Sequence, residues 1–178
     1  MMAGLEKRFD AVIFIGYHSP SRSSGNPLSH TMNTKIHHIK INGKIASEFD
    51  LNAYYASTVG VPIAFLSGDL NLTKLVKETN PNIETVATKV GNFGAVISKH
   101  PSVTNLEIQK TVEKALKKDL HENIVTLPKT FEVEIQYRLP KQAYSNSFFP
   151  GCKLVGTDKV VFTANNYIDV LTALHFIL

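Results

Sequence analysis

The chain has 178 residues and a mass of 19.7 kDa, and its 43% hydrophobic and 19% charged residues allow a buried core and exclude wholesale disorder. The net charge of +4 comes from 16 lysines and three arginines spread along the sequence, whereas nucleic-acid-binding proteins usually cluster them on one face. No apolar run approaches the roughly 20 residues that cross a bilayer, residues 1–10 lack the apolar stretch of a secretory signal, and a single cysteine excludes an intramolecular disulfide. We therefore expect a cytoplasmic protein that binds neither nucleic acid nor a membrane.

Short apolar runs separated by turn signals predict the first half of the fold. Residues 10–16 form a continuous apolar run closed by glycine, which is typical of a strand buried on both faces. Residues 17–33 are rich in serine, proline, glycine and asparagine, and they predict a long irregular connection of the kind that often carries function. The elements expected next are a β-hairpin at 35–41 and 44–46, a helix at 47–58 with Leu51, Tyr54 and Tyr55 inward, a strand at 61–66 and a helix at 69–79.

The second half continues the interleaving of strands and helices. Its expected elements are strands at 83–88 and 95–97, a helix opened by a Thr-Asn-Leu-Glu capping box at 104–107, strands at 130–137 and 159–164, and a closing helix at 166–176. This order predicts an α/β fold. We expect a layered α/β/α arrangement with a mixed sheet, in a single α/β unit that spans residues 1–178.

Three side chains in the first third of the sequence are candidates for a metal site. His18 directly follows the first predicted strand, His30 lies in the irregular connection, and Glu48 falls in the first turn of a predicted helix. Ligands of α/β proteins usually bind at loops that follow strands, and two imidazoles with a carboxylate suit zinc. The spacing alone is not diagnostic, because a glutamate in the first turn of a helix also has a structural explanation. Asn52 is interpreted as a group that orients Glu48, and Asp69 as a helix N-cap.

Two neighbouring histidines have a simpler interpretation. His37 and His38 are adjacent on a predicted strand, so their side chains point to opposite faces of the sheet. No neighbouring residue suggests a shared ligand. We therefore expect both to be packing or surface residues.

Several short motifs follow one another in an order that resembles a known family. Residues 15–32 read IGYHSPSRSSGNPLSHTM, with Gly-Tyr-His at the end of a strand and a glycine-containing loop that closes on Ser-His-Thr-Met. An Ile-Asn hairpin, a glutamate before Leu-Asn-Ala-Tyr, a Val-Pro strand that ends in Gly-Asp and a later Phe-Pro-Gly complete the pattern. This order resembles the DppA-type zinc-dependent D-aminopeptidase family over essentially the whole chain, and most specifically over residues 16–69.

The resemblance implies roles for three side chains and a reaction. His18 and Glu48 are similar to zinc ligands of the family, and His30 is similar to the catalytic histidine that assists attack on the peptide carbonyl. The loop between the two histidines is one residue longer than the family pattern. The resemblance further implies a zinc cofactor, dinuclear in the complete family site, and an aminopeptidase that hydrolyses peptides with an N-terminal D-amino acid. It also implies assembly as a homo-oligomeric ring.

The sequence departs from the family pattern in its other metal-binding motifs. The family's opening Ser-x-Asp-x-Glu-Gly strand and its later Asp-Ser-His do not occur in the 178 residues, so the chain resembles the C-terminal two-thirds of a family member without the N-terminal metal-binding segment. One interpretation is an enzyme whose remaining ligands come from a separate N-terminal polypeptide. The alternative is a non-catalytic remnant that acts as an oligomerising or peptide-binding module. We expect negligible peptidase activity from this chain alone.

Overall fold

The computed structural model describes residues 2–178. The chain forms two compact units. Unit 1 contains the residues up to Ser19, Ser23–Ser29 and Phe49–Leu127, and unit 2 contains Pro20–Arg22, His30–Glu48 and Pro128–Leu178. Each unit is therefore built from separate stretches of the sequence.

Residues 2–178 form strands and helices in alternation. The strands are β1 (Val12–Tyr17), β2 (Ile36–Ile41), β3 (Lys44–Ile45), β4 (Ile63–Asp69), β5 (Glu84–Asn92), β6 (Ala95–Ser98), β7 (Phe131–Tyr137), β8 (Cys152–Val155) and β9 (Lys159–Ala164). The helices are α1 (Glu48–Thr58), α2 (Leu70–Thr79), α3 (Pro101–Ala115), α4 (Pro140–Asn146) and α5 (Tyr167–Ile177), with a short 3-10 helix at His121–Asn123. No helix in this part of the chain combines the length and the apolar character that a membrane span requires.

Unit 1 is built around a mixed four-stranded sheet with the order β1-β4-β5-β6. β1, β4 and β5 run parallel, and β6 returns antiparallel to β5. One face packs against α1 and α2 through a core that includes Phe14, Phe49 and Leu72, and the other face packs against α3 through Phe65 and Ala115. β4 is therefore buried along its whole length, which explains its apolar sequence. The predicted layered α/β/α arrangement with a mixed sheet is confirmed in this unit.

Unit 2 is built around a five-stranded antiparallel sheet with the order β3-β2-β7-β9-β8. In β7, Phe131, Val133, Ile135 and Tyr137 are buried and the residues between them are more exposed, so the alternation expected for this segment is confirmed. α4 and α5 pack against β7 and β9. The hydroxyl of Tyr137 donates to the carbonyl of Ile177 at 2.8 Å, which ties the last turn of α5 to the sheet.

The start of α3 differs from the prediction. The sequence predicts that this helix opens with a capping box at Thr104, whereas α3 begins earlier, at Pro101. His100 is the N-cap, because its Nδ1 accepts the main-chain N–H of Ser102 at 3.3 Å. Proline is favoured at the first helical position, since its missing N–H would have no partner there. The predicted capping box is therefore wrong.

Besides the short 3-10 helix at His121–Asn123, two elements have no counterpart in the prediction. α4 has seven residues and begins at Pro140, and β8 has four residues and lies at the edge of its sheet. Elements of this length contain too few turns or alternations to produce a periodic hydrophobic signal. β4 also extends past the predicted end of its strand to Asp69, which places this carboxylate at the carboxyl end of the parallel sheet.

Candidate metal centre

His18 follows directly on the end of β1. Gly16, near that end, has a φ of 78°, which favours glycine, and the pairing of β1 with β4 shifts its register between Phe14 and Tyr17. The main-chain N–H of Gly16 donates to the Ser67 hydroxyl on β4 at 3.1 Å. An irregularity of this kind re-aims the residues that follow it, and here it precedes the candidate ligand His18.

The imidazole of His18 has a defined orientation. Its Nδ1 lies 3.0 Å from the main-chain carbonyl oxygen of Ser19. A carbonyl oxygen only accepts hydrogen bonds, so Nδ1 carries the proton and Nε2 carries the lone pair in the neutral ring. A histidine that donates one ring N–H to a carbonyl and presents the other nitrogen to a metal is the usual arrangement in zinc sites.

His30 and Glu48 meet beside a tight turn. Met32 has a φ of 66°, and the N–H of Asn33 donates to the carbonyl of Thr31 at 2.8 Å, so these residues form a three-residue turn. The N–H of Met32 donates to Glu48 Oε1 at 3.0 Å. His30 Nε2 lies 3.7 Å from the same oxygen, and the two side chains are 32% and 16% exposed. Glu48 is also the first residue of α1, where the helix dipole favours a carboxylate.

The turn after His30 is anchored by the buried hydroxyl of Thr31. This Oγ1 donates to the carbonyl of Ala46 at 2.8 Å and lies 3.3 Å from the N–H of Ser21, which donates to it. Thr31 has no exposed surface. The position of His30 is therefore fixed through its neighbour in the chain.

His18, His30 and Glu48 form a group that fits a metal ion. Each side chain offers one ligand atom, and these atoms all lie within 4.8 Å of one another. Two imidazole nitrogens and one carboxylate oxygen are a common ligand set for catalytic zinc, which leaves a further coordination position for water or substrate. Within residues 2–178 no other three histidine, cysteine, aspartate or glutamate side chains meet this criterion. The three candidates from the sequence are thus brought together, and their donor chemistry fits zinc.

Asn52 supports the site differently from the prediction. Its place one helical turn after Glu48 predicts a group that orients this carboxylate. In the structure Asn52 is buried and its Nδ2 donates to the hydroxyl of Tyr17 at 2.9 Å. The Tyr17 ring also packs against Phe14, with ring centroids 4.8 Å apart. Asn52 therefore holds the residue that precedes His18.

Asp69 has a second role besides the predicted helix N-cap. Its role as N-cap of α2 is confirmed, because Oδ1 accepts the N–H of Leu72 at 2.9 Å. The same carboxylate also accepts the N–H of Ser19 at 2.6 Å and the Ser19 hydroxyl at 2.5 Å. The Gly-Asp sequence at the end of a buried strand is the only sequence signal for this second role. The residues that it joins are 50 positions apart, so no local pattern predicts the contact.

The loop between the two histidines touches its neighbours by main-chain atoms. A Cβ placed on Gly91 in β5 would clash with the carbonyl of Gly25, and a Cβ placed on Gly25 would clash with Asn71 and with the Ser19 hydroxyl. Asn71 Nδ2 also donates to the Ser23 hydroxyl at 2.8 Å. Residues 23–29 are therefore seated on β5 and on the first turn of α2 without space for an additional side chain.

A second polar cluster lies on the sheet of unit 2, at a residue that the sequence analysis assigns to packing or the surface. His38 is buried, and its Nε2 lies 3.1 Å from Glu134 Oε1. Lys40 and Lys159 approach the same carboxylate at 3.1 and 3.6 Å. Burial lowers the pKa of His38 below its ordinary 6.5, and the hydrogen bond to Glu134 only partly opposes this. Burial alone would raise the pKa of Glu134, but the hydrogen bonds from His38 and Lys40 bring it below 4.5.

Comparisons with known proteins point to one family. The peptidase M55 family model, described as D-aminopeptidase, matches residues 1–176. The D-aminopeptidase of Bacillus subtilis (strain 168) is 28% identical over 176 residues, which are 98% of this chain and 64% of that protein. The solved structure of the Zn-dependent D-aminopeptidase DppA from Bacillus subtilis, described as a self-compartmentalizing protease, superposes with a TM-score of 0.88 at 28% identity, over 99% of this chain and 65% of that one. This chain therefore spans slightly less than two-thirds of the length of these relatives, and it belongs to the M55 family of D-aminopeptidases.

Proposed function

We propose that this chain carries part of the zinc centre of a D-aminopeptidase, with His18 and Glu48 as zinc ligands and His30 as the catalytic residue. The observation that carries the proposal is the group of three ligand side chains in a chain of this family. The proposed substrates are peptides whose N-terminal residue has the D configuration. The name of the Bacillus subtilis relative supports this substrate class.

The two proposed ligands are held in forms that suit a metal. His18 binds through Nε2, since Nδ1 is engaged with the Ser19 carbonyl. Glu48 is oriented by the N–H of Met32, which donates to its Oε1. Zinc bound here supplies a Lewis acid that polarises the scissile carbonyl and lowers the pKa of a bound water. We propose that the complete centre is dinuclear and that residues outside these 178 supply the remaining ligands.

His30 moves the proton in the proposed reaction. Its Nε2 lies 3.7 Å from Glu48 Oε1, which is longer than a hydrogen bond, and the side chain is 32% exposed, so a substrate can reach the ring. Imidazole exchanges protons near neutral pH more readily than other side chains. His30 accepts a proton from the attacking water and returns it to the leaving amine.

We also propose that the chain assembles into a homo-oligomeric ring. The support is the description of the solved relative as a self-compartmentalizing protease, together with the TM-score of 0.88 between the two folds. A ring encloses its active sites and limits access to short peptides, which agrees with an aminopeptidase that acts on D-amino-acid peptides.

Metal content tests the proposed ligands. Elemental mass spectrometry on the purified chain, after dialysis against buffered zinc, is expected to find about one zinc per chain, because His18 and Glu48 supply two protein ligands and water can fill the remaining positions. The zinc is expected to be lost in His18→Ala and Glu48→Gln. His37→Ala is the matched control, because His37 is an exposed histidine on β2 that does not belong to the group. No stoichiometric zinc in the wild type would overturn the metal site.

Activity distinguishes an enzyme from a non-catalytic module. The zinc-loaded chain alone is expected to show negligible turnover of a D-alanyl dipeptide, and a polypeptide that carries the Ser-x-Asp-x-Glu-Gly segment of a relative is expected to restore it in trans. His30→Ala should abolish the restored activity while leaving zinc bound. Zinc binding with no turnover under either condition would favour the alternative, an oligomerising or peptide-binding module.

A further inference from the structure

Asp69 is a buried carboxylate with three hydrogen-bond donors around it. It has no exposed surface, and it accepts from the N–H of Leu72, the N–H of Ser19 and the hydroxyl of Ser19 at 2.9, 2.6 and 2.5 Å. Removing a carboxylate from water is costly unless its oxygens are hydrogen-bonded, and here both oxygens are used. The chain therefore buries the side chain of Asp69 at the carboxyl end of β4, where it directly contacts the loop after β1.

Helix capping does not account for this arrangement. An N-cap requires one oxygen that accepts a main-chain N–H in the first turn, and asparagine or serine supplies it as well as aspartate. At Asp69 the bond to Leu72 meets that requirement. The two bonds to Ser19 are additional, and they hold both the main chain and the side chain of a single residue that is itself completely buried.

The residue held in this way is the one that fixes His18. The carbonyl oxygen of Ser19 accepts the proton on His18 Nδ1 at 3.0 Å. If Ser19 were able to rotate, this carbonyl would no longer select one tautomer of the ring. The connection from Asp69 through Ser19 to His18 thus consists entirely of hydrogen bonds between named atoms within unit 1.

We propose that Asp69 is a positioning residue for zinc binding, which acts through Ser19 to hold His18 with Nδ1 protonated, so that Nε2 is the nitrogen that binds the metal. The inference rests on the zinc site of the proposed function. It differs from that proposal in concerning a residue that touches neither zinc nor substrate. Groups that orient a metal-binding histidine typically contribute about 10- to 100-fold to metal affinity.

The test uses Asp69→Asn in the full chain. Asparagine has the same shape and still accepts the Leu72 N–H, but its amide group cannot accept both donors of Ser19. The first readout is the ¹⁵N spectrum of the His18 ring in metal-free protein at about pH 8, assigned by comparison with His18→Ala. We expect the Nδ1-protonated tautomer in the wild type and a mixture of tautomers in the variant.

The second readout is the zinc dissociation constant, measured by competition with a chromophoric chelator. We expect zinc to bind about 10- to 100-fold more weakly to Asp69→Asn. Asn166→Ala is the matched control, because Asn166 caps α5 through the N–H of Asp169 and its loss removes a helix cap in unit 2. This control is expected to bind zinc as the wild type does.

The outcomes separate the two proposals. Wild-type tautomer and wild-type zinc affinity in Asp69→Asn would overturn the positioning role and leave the zinc site intact. If the wild type does not bind zinc, the proposed function fails, and the tautomer alone decides whether Asp69 orients His18. Should Asp69→Asn not fold, Ser19→Ala removes only the hydroxyl donor, and an unchanged tautomer and zinc constant in that variant would equally overturn the inference.

Discussion

Met32 adopts a left-handed backbone conformation, with a φ of 66°, although it carries a side chain. Such a conformation costs on the order of 1 kcal/mol and persists only where the surrounding contacts enforce it. Here the contacts are the bond from Asn33 to the Thr31 carbonyl and the bond from the Met32 N–H to Glu48. The strain is thus localised beside the candidate metal centre, where it fixes the direction of a carboxylate.

Glu48→Gln separates the metal-binding role of this residue from its structural role. Glutamine still accepts the Met32 N–H, so the free energy of unfolding without zinc should change by less than about 1 kcal/mol. With zinc at roughly 100 times its dissociation constant, the free energy of unfolding of the wild type should increase by about 2.7 kcal/mol. The variant should gain almost nothing, because a neutral amide is a poor zinc ligand. Thermal unfolding with and without zinc checks this, and an equal gain in both proteins would contradict it.

His38 makes the stability of the fold depend on pH. Its folded pKa lies below the ordinary 6.5, so the unfolded chain binds more protons in the acidic range. The stabilisation is therefore fully present above pH 6.5 and is lost as the pH falls through the folded pKa of His38. The contribution of Glu134 is lost in a more acidic range, below pH 4.5, because its own pKa is lowered.

His38→Gln should flatten this pH dependence. Glutamine still donates a hydrogen bond to Glu134 but does not titrate. The free energy of unfolding of the variant should therefore change less than that of the wild type between about pH 8 and about pH 5.5. Urea unfolding at the two pH values is the measurement. His37→Gln, on the exposed face of the same strand, is the control and should retain the wild-type slope. Equal slopes in wild type and His38→Gln would show that another group is responsible.

At the scale of elements, the loop of residues 23–29 is held by its close contact with β5. The Gly25 carbonyl lies against the main chain of Gly91, at a place where any side chain would clash. Gly25 also lies close to Ser19 and Asn71, so the loop is held at this residue on two sides. The segment that ends at His30 is therefore irregular in conformation, but its contact with β5 holds it in place.

Gly91→Ala tests whether the contact between the loop and β5 affects zinc binding. The added methyl group must displace the loop, so we expect a loss of about 1–3 kcal/mol in the free energy of unfolding and weaker zinc binding. Gly94→Ala is the control, because Gly94 lies in the turn of the same hairpin and a Cβ there meets no atom within 4 Å. Urea unfolding and zinc titration of both variants provide the comparison. Equal zinc affinity in the two variants would show that the loop does not position a ligand.

The elements also show what a sequence can predict and what it cannot. β9 has the predicted bounds, Lys159–Ala164, and β7 follows its expected alternation, because six or seven residues suffice for a clear period-two pattern. In α1 the buried face contains Leu51 as expected but also Phe49 and Ala53, and the expected Tyr54 is only half-buried, because Phe49 and Ala53 belong to the core cluster under the sheet. Periodicity therefore locates a helix more reliably than its buried face.

The residues of the candidate site could be singled out from the sequence, but their geometry could not. The places of His18, His30 and Glu48 after a strand, in a loop and at a helix start make them candidates, and only the resemblance to the D-aminopeptidase family favours a metal site. The left-handed conformation at Met32 could not be predicted, because no glycine stands at this position. The bonds from Asp69 to Ser19 connect distant segments, and such contacts follow only from the three-dimensional arrangement of β1 and β4.

At the scale of the whole molecule, β1 is an edge strand of the sheet in unit 1, with β4 on one side and no paired strand on the other within residues 2–178. Ile13 and Ile15 on this strand are 39% and 58% exposed. An apolar edge strand invites pairing with another polypeptide. β6, at the opposite edge, is only four residues long and is followed by Lys99, which makes it a poorer template.

Ile15→Lys should therefore reduce self-association more than a charge on the opposite edge. Sedimentation velocity of the wild type is expected to show species larger than the 19.7 kDa chain, in line with the proposed homo-oligomer. Ile15→Lys is expected to shift the distribution towards the single chain, because a charged side chain at an edge opposes pairing. Ile97→Lys on β6 is the matched control, since Ile97 is 70% exposed. The same shift in both variants would argue against a specific role for β1.

The contact between Gly25 and Gly91 also has an evolutionary consequence. Gly91 cannot acquire a side chain while Gly25 keeps its place, because a Cβ on Gly91 would clash with the Gly25 carbonyl. In relatives of this chain a side chain at the position of Gly91 should consequently accompany a loop of different length or path at the position of Gly25. Evolutionary changes in the loop that carries His30 are thereby coupled to changes in β5, a strand more than 60 positions away in the sequence.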